Sequence, residues 1–280
     1  MGKSSRMQSN QKLMDHLLSM KNQFVTLGRF VINPVEHLGR IMIFFLKTLA
    51  QFPVLLREPY KVIEQIFFIG AKSIIVVSLT GIFTGMVLGF QGYYTLVKFG
   101  SDGLLGAVVA LTLIREMGPV LTAIMVVARG GSAIAAEIGI MRISEQIDAL
   151  ETMDINPIRF LVSPRLAAAL ISFPLLTALF DTLGILGGYV TGSILLGINP
   201  GIYFSRVESS VEMADVSGGF IKAISFAALV TTICCFNGYY THLRAGGFGA
   251  KGVGLSTTAA VVTSCVLVLV LDYVLTSFLI

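Results

Sequence analysis

Arg115, Glu116, Met117, Gly118 and Pro119 follow one another about halfway along an otherwise apolar run from Leu104 to Val127. A charge at the centre of a bilayer costs about 2.5–3.5 kcal/mol on insertion scales, so two together call for partners, water or a task. Successive helical residues point about 100° apart, which keeps Arg115 and Glu116 from simply pairing with each other. Pro119 has no N–H for the carbonyl four residues back, which belongs to Arg115, so a freed acceptor joins the two charges in one kinked, polar patch. Such a patch either pairs with neighbouring helices or lines a wet cavity that handles a charged headgroup or couples motion. Asp181 and Asp272 are further acids inside apolar runs, and both read as packing residues that hydrogen-bond a neighbouring helix.

The segment Glu137–Asp154 is polar between two long apolar stretches. Ile143, Ile147 and Leu150 recur in it at helical spacing, while Arg142, Glu145 and Asp148 follow at intervals of three on another face, so it reads as a short amphipathic helix. A membrane chain that places its few charges there presents a handle to something soluble. No Gly-x-x-x-x-Gly-Lys-Ser/Thr occurs, and the glycine cluster Gly246–Gly252 lacks both the spacing and the hydroxyl that would meet magnesium. There is no Gly-x-Ser-x-Gly elbow, no His-Glu-x-x-His, and the 3 histidines are not at ligand spacing. The expectation is a non-enzymatic chain without a cofactor of its own. Cys234, Cys235 and Cys265 fall inside apolar runs and read as small buried residues.

These groups need a scaffold, and composition supplies it. The chain is 55% hydrophobic and 13% charged over 280 residues, which marks an integral membrane protein. Runs at about 66–97, 104–127, 166–196, 220–240 and 253–280 are each long enough to cross a hydrocarbon core of about 30 Å. The basic residues before position 60 place the N-terminus in the cytoplasm, so five crossings put segment 137–165 inside, segment 198–219 outside and the C-terminus outside. The net charge of +4 then reflects this topology rather than nucleic-acid binding. Residues 1–33 read as a polar extension. Residues 34–60 read as an interfacial amphipathic helix followed by an elbow at Pro53 and Pro59, and residues 61–280 as the five-helix membrane domain. Gly81, Gly85 and Gly89 recur every fourth residue, as do Gly184, Gly188 and Gly192; such ridges let helix backbones approach closely, within a chain or between subunits.

The fold expectation is therefore all-α, with an interfacial helix, five transmembrane helices and a cytoplasmic coupling helix at about 143–155 between the second and third. Leu113–Thr122, Ala128–Ala133, Ala136–Arg142, Ser144–Leu150, Ser163–Arg165, Phe236–Tyr239 and Leu271–Asp272 carry a resemblance that runs from about Val35 to the end of the chain. In these segments the sequence resembles the MlaE/YrbE permeases, membrane subunits of ABC systems associated with MCE proteins. The resemblance implies a homodimeric phospholipid permease in the inner membrane of a Gram-negative cell, serving outer-membrane lipid asymmetry. It also implies a cytoplasmic ATPase that holds ATP and magnesium, a STAS-domain protein, and a periplasmic hexamer of MCE-domain subunits. On that resemblance Ser144, Glu145, Gln146, Ile147, Asp148, Ala149, Leu150 and Glu151 form the coupling helix, and Arg115 with Glu116 the charged pair of the lipid path. Ile147 and Leu150 are expected to fill a groove on the ATPase while Glu145 and Asp148 meet its basic rim. A different reading, an ion-coupled carrier that relays protons through Glu116, Asp181 and Asp272, uses the same acids.

Overall fold

A computed structural model describes residues 35–36, 38–51, 59–243 and 249–279. The polar extension and Pro53 lie outside these residues. Among the described residues the structure is helical apart from short connections, without strands, and five helices are long and apolar enough to cross a membrane: Pro59–Val97, Asp102–Ile143, Ile158–Leu195, Met213–Tyr239 and Gly249–Leu279. The chain is a multi-pass all-α membrane protein.

Residues 35–36 and 38–50 are helical, with Arg40 paired to Glu36 one turn away at 2.6 Å. Leu38, Met42, Leu46 and Leu49 of this helix are all exposed. Pro59, expected to break the backbone, instead opens the first span. Its fixed φ suits a first helical turn, where a missing N–H costs nothing.

Four spans exceed their expected limits at the N-terminal end, and the second exceeds them at both ends. The second span covers 42 residues, about 63 Å at 1.5 Å per residue, and continues through Arg129-Gly130-Gly131 to Ile143. Continuity there comes from a π-helical segment, Val127–Gly131, in which Gly131 lies close enough to the fourth span that a Cβ would sit 2.9 Å from Cys234 Sγ. Arg129, within this segment, donates to the carbonyl of Phe68 and lies over its ring. Because the helix runs this far, Arg115 and Glu116 are not at its middle; they lie about one third of the way along it from Asp102.

The segment 198–219, expected as a loop, holds the helix Pro200–Ser210, with Asn199 Oδ1 accepting from Gly201 N at 2.8 Å as its cap. Tyr203 from this helix is fully buried. Its hydroxyl donates to Ile185 O at 3.0 Å, and burial raises its pKa above the ordinary tyrosine value. The fourth span starts early because Glu212 and Asp215 form a capping box: Asp215 Oδ2 accepts from Glu212 N at 3.0 Å.

The two glycine ridges meet. A Cβ on Gly85 would overlap the Gly184 carbonyl, one on Gly81 would lie 2.9 Å from Phe180 O, and one on Gly89 would lie 3.2 Å from Gly188 O. Gly184 also seats Leu113, and Gly192 seats Leu105. This intramolecular seam locks the first span to the third, while Gly188 additionally faces Tyr203.

The seam gives a sharp contrast between two glycine substitutions. Gly85→Ala meets backbone that cannot move aside, so it should destabilise the detergent-solubilised protein by more than about 2 kcal/mol. Gly254 sits in the last span with nothing within 4 Å of a new Cβ. Gly254→Ala should be neutral or stabilising by up to about 1 kcal/mol. Thermal unfolding of the two variants side by side checks the seam.

Candidate functional site

At the level of Arg115 three spans converge on one ammonium group. Lys222, on the fourth span, is buried with 3% of its side chain exposed. Its Nζ donates to Glu116 Oε2 at 2.7 Å, to Thr276 Oγ1 at 2.7 Å and to the Arg115 carbonyl at 2.9 Å. An ammonium has three N–H groups, so its donors are fully used. Asp272 Oδ1 lies 3.1 Å from the same nitrogen as a second counter-charge, and Thr276 passes a hydrogen bond on to Glu116 Oε1 at 3.1 Å. The Arg115 carbonyl, four residues before Pro119, is thus taken by Lys222. The local backbone assists, because Leu113–Met117 is π-helical and returns to α-helix at Gly118.

Arg115 points to a different partner. Its Nε donates to Asp215 Oδ1 at 2.7 Å, and the side chain is 47% exposed. Asp215 therefore closes a helix cap with one oxygen and holds an arginine with the other. Neither Nη of Arg115 has a hydrogen-bond partner among the described residues. Arg115, Glu116, Glu212, Asp215, Lys222 and Thr276 line a half-open cavity of about 280 Å³.

At the opposite end of the bundle the segment Glu137–Asp154 is not one helix. Glu145 has φ 60°, in the left-handed region, and divides the second span from the short helix Gln146–Thr152. The turn brings Asp148 back to Arg142, whose Nη1 donates to it at 2.8 Å and whose Nε donates to His242 Nδ1 at 3.0 Å. Burial first, and Arg142 second, lower the pKa of His242 below the usual imidazole value. Tyr239 donates to Glu151 Oε1 at 3.1 Å. Ile147, expected to insert into a partner, is fully buried within the chain, because the turn at Glu145 swings that side of the helix inward. Leu150 is half-buried, and the exposed positions are Ser144, Glu145, Gln146, Asp148, Ala149 and Glu151. Glu137, Arg165 and the Leu161 carbonyl form a further linkage between the second and third spans.

Residues 62–278 match the family model described as "Permease MlaE". The chain belongs to the MlaE permease family. It is 39% identical over 259 residues to the Haemophilus influenzae "Intermembrane phospholipid transport system permease protein MlaE", covering 92% of this chain and 97% of that protein. It is 39% identical over 263 residues to a "Probable ABC transporter permease protein" of Rickettsia bellii, covering 93% and 97%. It is also 37% identical over 216 residues to the chloroplastic Protein TRIGALACTOSYLDIACYLGLYCEROL 1 of Arabidopsis thaliana, covering 77% and 60%.

In this MlaE-family chain the expected pair, Arg115 and Glu116, does line one cavity, but each serves a different neighbour. Asp272 shares Lys222 with Glu116, whereas Asp181 lines a separate cavity and lies beside Gly118, where a Cβ would overlap its Oδ1. Lys222 and Asp215 escaped the sequence reading. A lone lysine in an apolar run was a visible signal for the first, and acids at positions 212 and 215 before an apolar run signalled a capping box for the second.

Lys222→Met should strand Glu116 and Asp272 without their cation and lower stability by about 3–5 kcal/mol. Adding Glu116→Gln and Asp272→Asn to that variant should recover most of the loss, as read by thermal unfolding in detergent. At the other end, His242 accepts from Arg142 only when that nitrogen is unprotonated. Its folded pKa lies below its unfolded value, so the contribution is present above about pH 6.5 and is lost as pH falls through the lowered value. Amide exchange in 146–152, corrected for intrinsic rate, should therefore quicken between pH 7.5 and 5, and His242→Gln should flatten that dependence.

Proposed function

We propose that this chain is the permease subunit of an ABC-type system that moves phospholipids between the inner and outer membranes, driven by a separate ATPase. The observation that carries the reading is Arg115: a half-exposed guanidinium on the wall of a cavity between spans, held by Nε alone, with both Nη groups left for an incoming group. Arginine pairs with phosphate through parallel N–H bonds, so this is the geometry a headgroup phosphate requires. Lys222 supplies no such donor, since its three are taken within the chain. The cavity also holds the carboxylates of Glu116, Glu212 and Asp215, which disfavours a site for a bare, highly charged anion. The printed role of the Haemophilus influenzae relative, intermembrane phospholipid transport, supports the same substrate.

In this reading the second span is the lever. It carries Arg115 and Glu116 near one end and runs to the turn at Glu145 and the short helix Gln146–Thr152 at the other. A cytoplasmic ATPase docks on the exposed, acidic side of that helix. Ile147 and the Arg142–Asp148 pair fasten the helix to the bundle, so force applied there reaches the span rather than bending a loop. Movement of the second span must then strain Glu116 against Lys222 and alter the cavity. The protein resides in the inner membrane of a Gram-negative cell with its N-terminus cytoplasmic and C-terminus periplasmic. It works as a homodimer with two ATPase copies, a STAS-domain protein on the ATPase and an MCE-domain hexamer in the periplasm, maintaining outer-membrane lipid asymmetry.

Two substitutions separate docking from lipid handling. Glu145→Lys with Ala149→Arg reverses the exposed face and spares Ile147 and Asp148; it should weaken co-purification of the ATPase at least about tenfold, the size of a disrupted charged contact, with unfolding temperature unchanged. Retained ATPase would refute the docking face. Arg115→Gln should leave the complex assembled and hydrolysing ATP but slow lipid transfer between vesicles by about tenfold or more. Transfer at the wild-type rate would reduce Arg115 to a packing residue.

A further inference from the structure

The first span changes from α- to 3-10 helix at Ala71–Ser73, and the second is π-helical at Val127–Gly131. Lys72 belongs to the one irregular segment and Arg129 to the other. They lie at one level, because Lys72 Nζ is 5.3 Å and Arg129 Cζ 5.4 Å from the centroid of the same ring, that of Phe68. Gly130 lies beside Ile69 at this height.

What these two cations lack sets them apart. Arg115, Arg142, Arg165 and Lys222 each lie against a carboxylate. Lys72 and Arg129 face none among the described residues. Arg129 spends Nη1 on the Phe68 carbonyl; its Nε and Nη2 have no hydrogen-bond partner among those residues and are not sealed from the surface. Lys72 is exposed. A ring face attracts a cation but supplies no counter-charge, and two cations beside one ring repel each other more strongly as lipid lowers the local dielectric. An anion from outside the chain relieves both deficits.

Depth identifies the source of that anion. Along the helix axes, Lys72 is about 38 Å from Val97 and Arg129 about 40 Å from Asp102. A hydrocarbon core is about 30 Å thick and a bilayer with its headgroups about 40–45 Å, so both cations reach the headgroup layer of the leaflet nearer Pro59. Phe67 is 60% and Ile75 70% exposed, which leaves apolar surface before and after Lys72 for acyl chains.

We propose that Lys72 and Arg129 form a binding site for the phosphodiester of an anionic phospholipid. The site is separate from the cavity at Arg115, and only the name of its leaflet, the cytoplasmic one, rests on the topology proposed above. Phosphate oxygens accept from the open nitrogens of Arg129, and the Lys72 ammonium adds a second positive charge. A lipid with net negative charge is favoured, since a choline or ethanolamine headgroup brings its own cation to a place that already holds two.

The test equilibrates the purified full-length chain with detergent micelles of equal phosphatidylglycerol and phosphatidylcholine and counts retained lipid by native mass spectrometry. The wild type should retain phosphatidylglycerol over phosphatidylcholine by about tenfold, and Lys72→Gln should lower that ratio about fivefold, the effect of one basic residue at a lipid surface. Lys72→Gln with Arg129→Gln should bring the ratio within about twofold; Lys72→Gln alone decides the matter if the double variant does not fold, because that side chain holds no other helix. Lys251→Gln removes an exposed positive charge elsewhere and should leave the ratio unchanged, as should Arg115→Gln. Inorganic phosphate at millimolar concentration should not displace the lipid. Equal retention of the two lipids, or a ratio untouched by Lys72→Gln, overturns the site. A loss at Lys251→Gln equal to that at Lys72→Gln overturns it in favour of diffuse attraction, a loss at Arg115→Gln assigns the preference to the transport cavity, and displacement by inorganic phosphate overturns the lipid as ligand. Failure of lipid transfer between vesicles, with the ratios as expected, sinks the transport reading and leaves this site standing.

Discussion

One buried ammonium sets the geometry of the bundle. Taking a charge out of water costs several kcal/mol, and the cost is offset only when counter-charges and hydrogen-bond acceptors are placed well around it. Lys222 meets that condition with groups from the second and fifth spans, Glu116 and the Arg115 carbonyl on one side and Asp272 and Thr276 on the other. The fourth span cannot slide against either neighbour without uncovering a charge. The backbone takes part in this, because the Arg115 carbonyl in the π-helical segment before Pro119 is one of the three acceptors that the ammonium uses.

The glycine seam does for the first and third spans what Lys222 does for the others, by a different force. Backbone contact at Gly81, Gly85 and Gly184 maximises dispersion where lipid offers no hydrophobic drive between helices. Between these two fastened groups Arg115 keeps both Nη groups without a hydrogen-bond partner among the described residues. Most of the intramembrane charges, Glu116, Lys222, Asp272 and Asp215 among them, are consumed in holding helices together.

The two ends of the second span differ in the same sense. Near Arg115 the span is clamped by ion pairs; it ends at Ile143, and the positive φ of Glu145 two residues on hands over to a short helix fixed by Ile147, Arg142 and Tyr239. Long helices transmit displacement along their axis because each residue is hydrogen-bonded to the next turn. π-Helical segments at Leu113–Met117 and Val127–Gly131 interrupt that regularity at the places where arginines sit.

Much of the architecture was legible in order of residues. Apolar run length specified five spans, the four-residue glycine period specified a close-packed ridge, and Pro119 specified an orphan carbonyl at Arg115, since each follows from local geometry or from the thickness of hydrocarbon. The ends of the spans were not legible, because a helix that has left lipid can continue through polar residues such as Arg129 or Glu137 when a neighbouring helix satisfies them. Nor was the inward face of Ile147, since a single residue in the left-handed region at Glu145 turned an apparent continuous amphipathic helix through an angle that periodicity does not encode. Above all, the sequence by itself determined that charges lie within the apolar runs, and only the tertiary structure decided which of them are neutralised and which are left open. Lys222 is 106 residues from Glu116 along the chain, and the pairing of charges so far apart is a property of how the spans pack, not of any spacing within them.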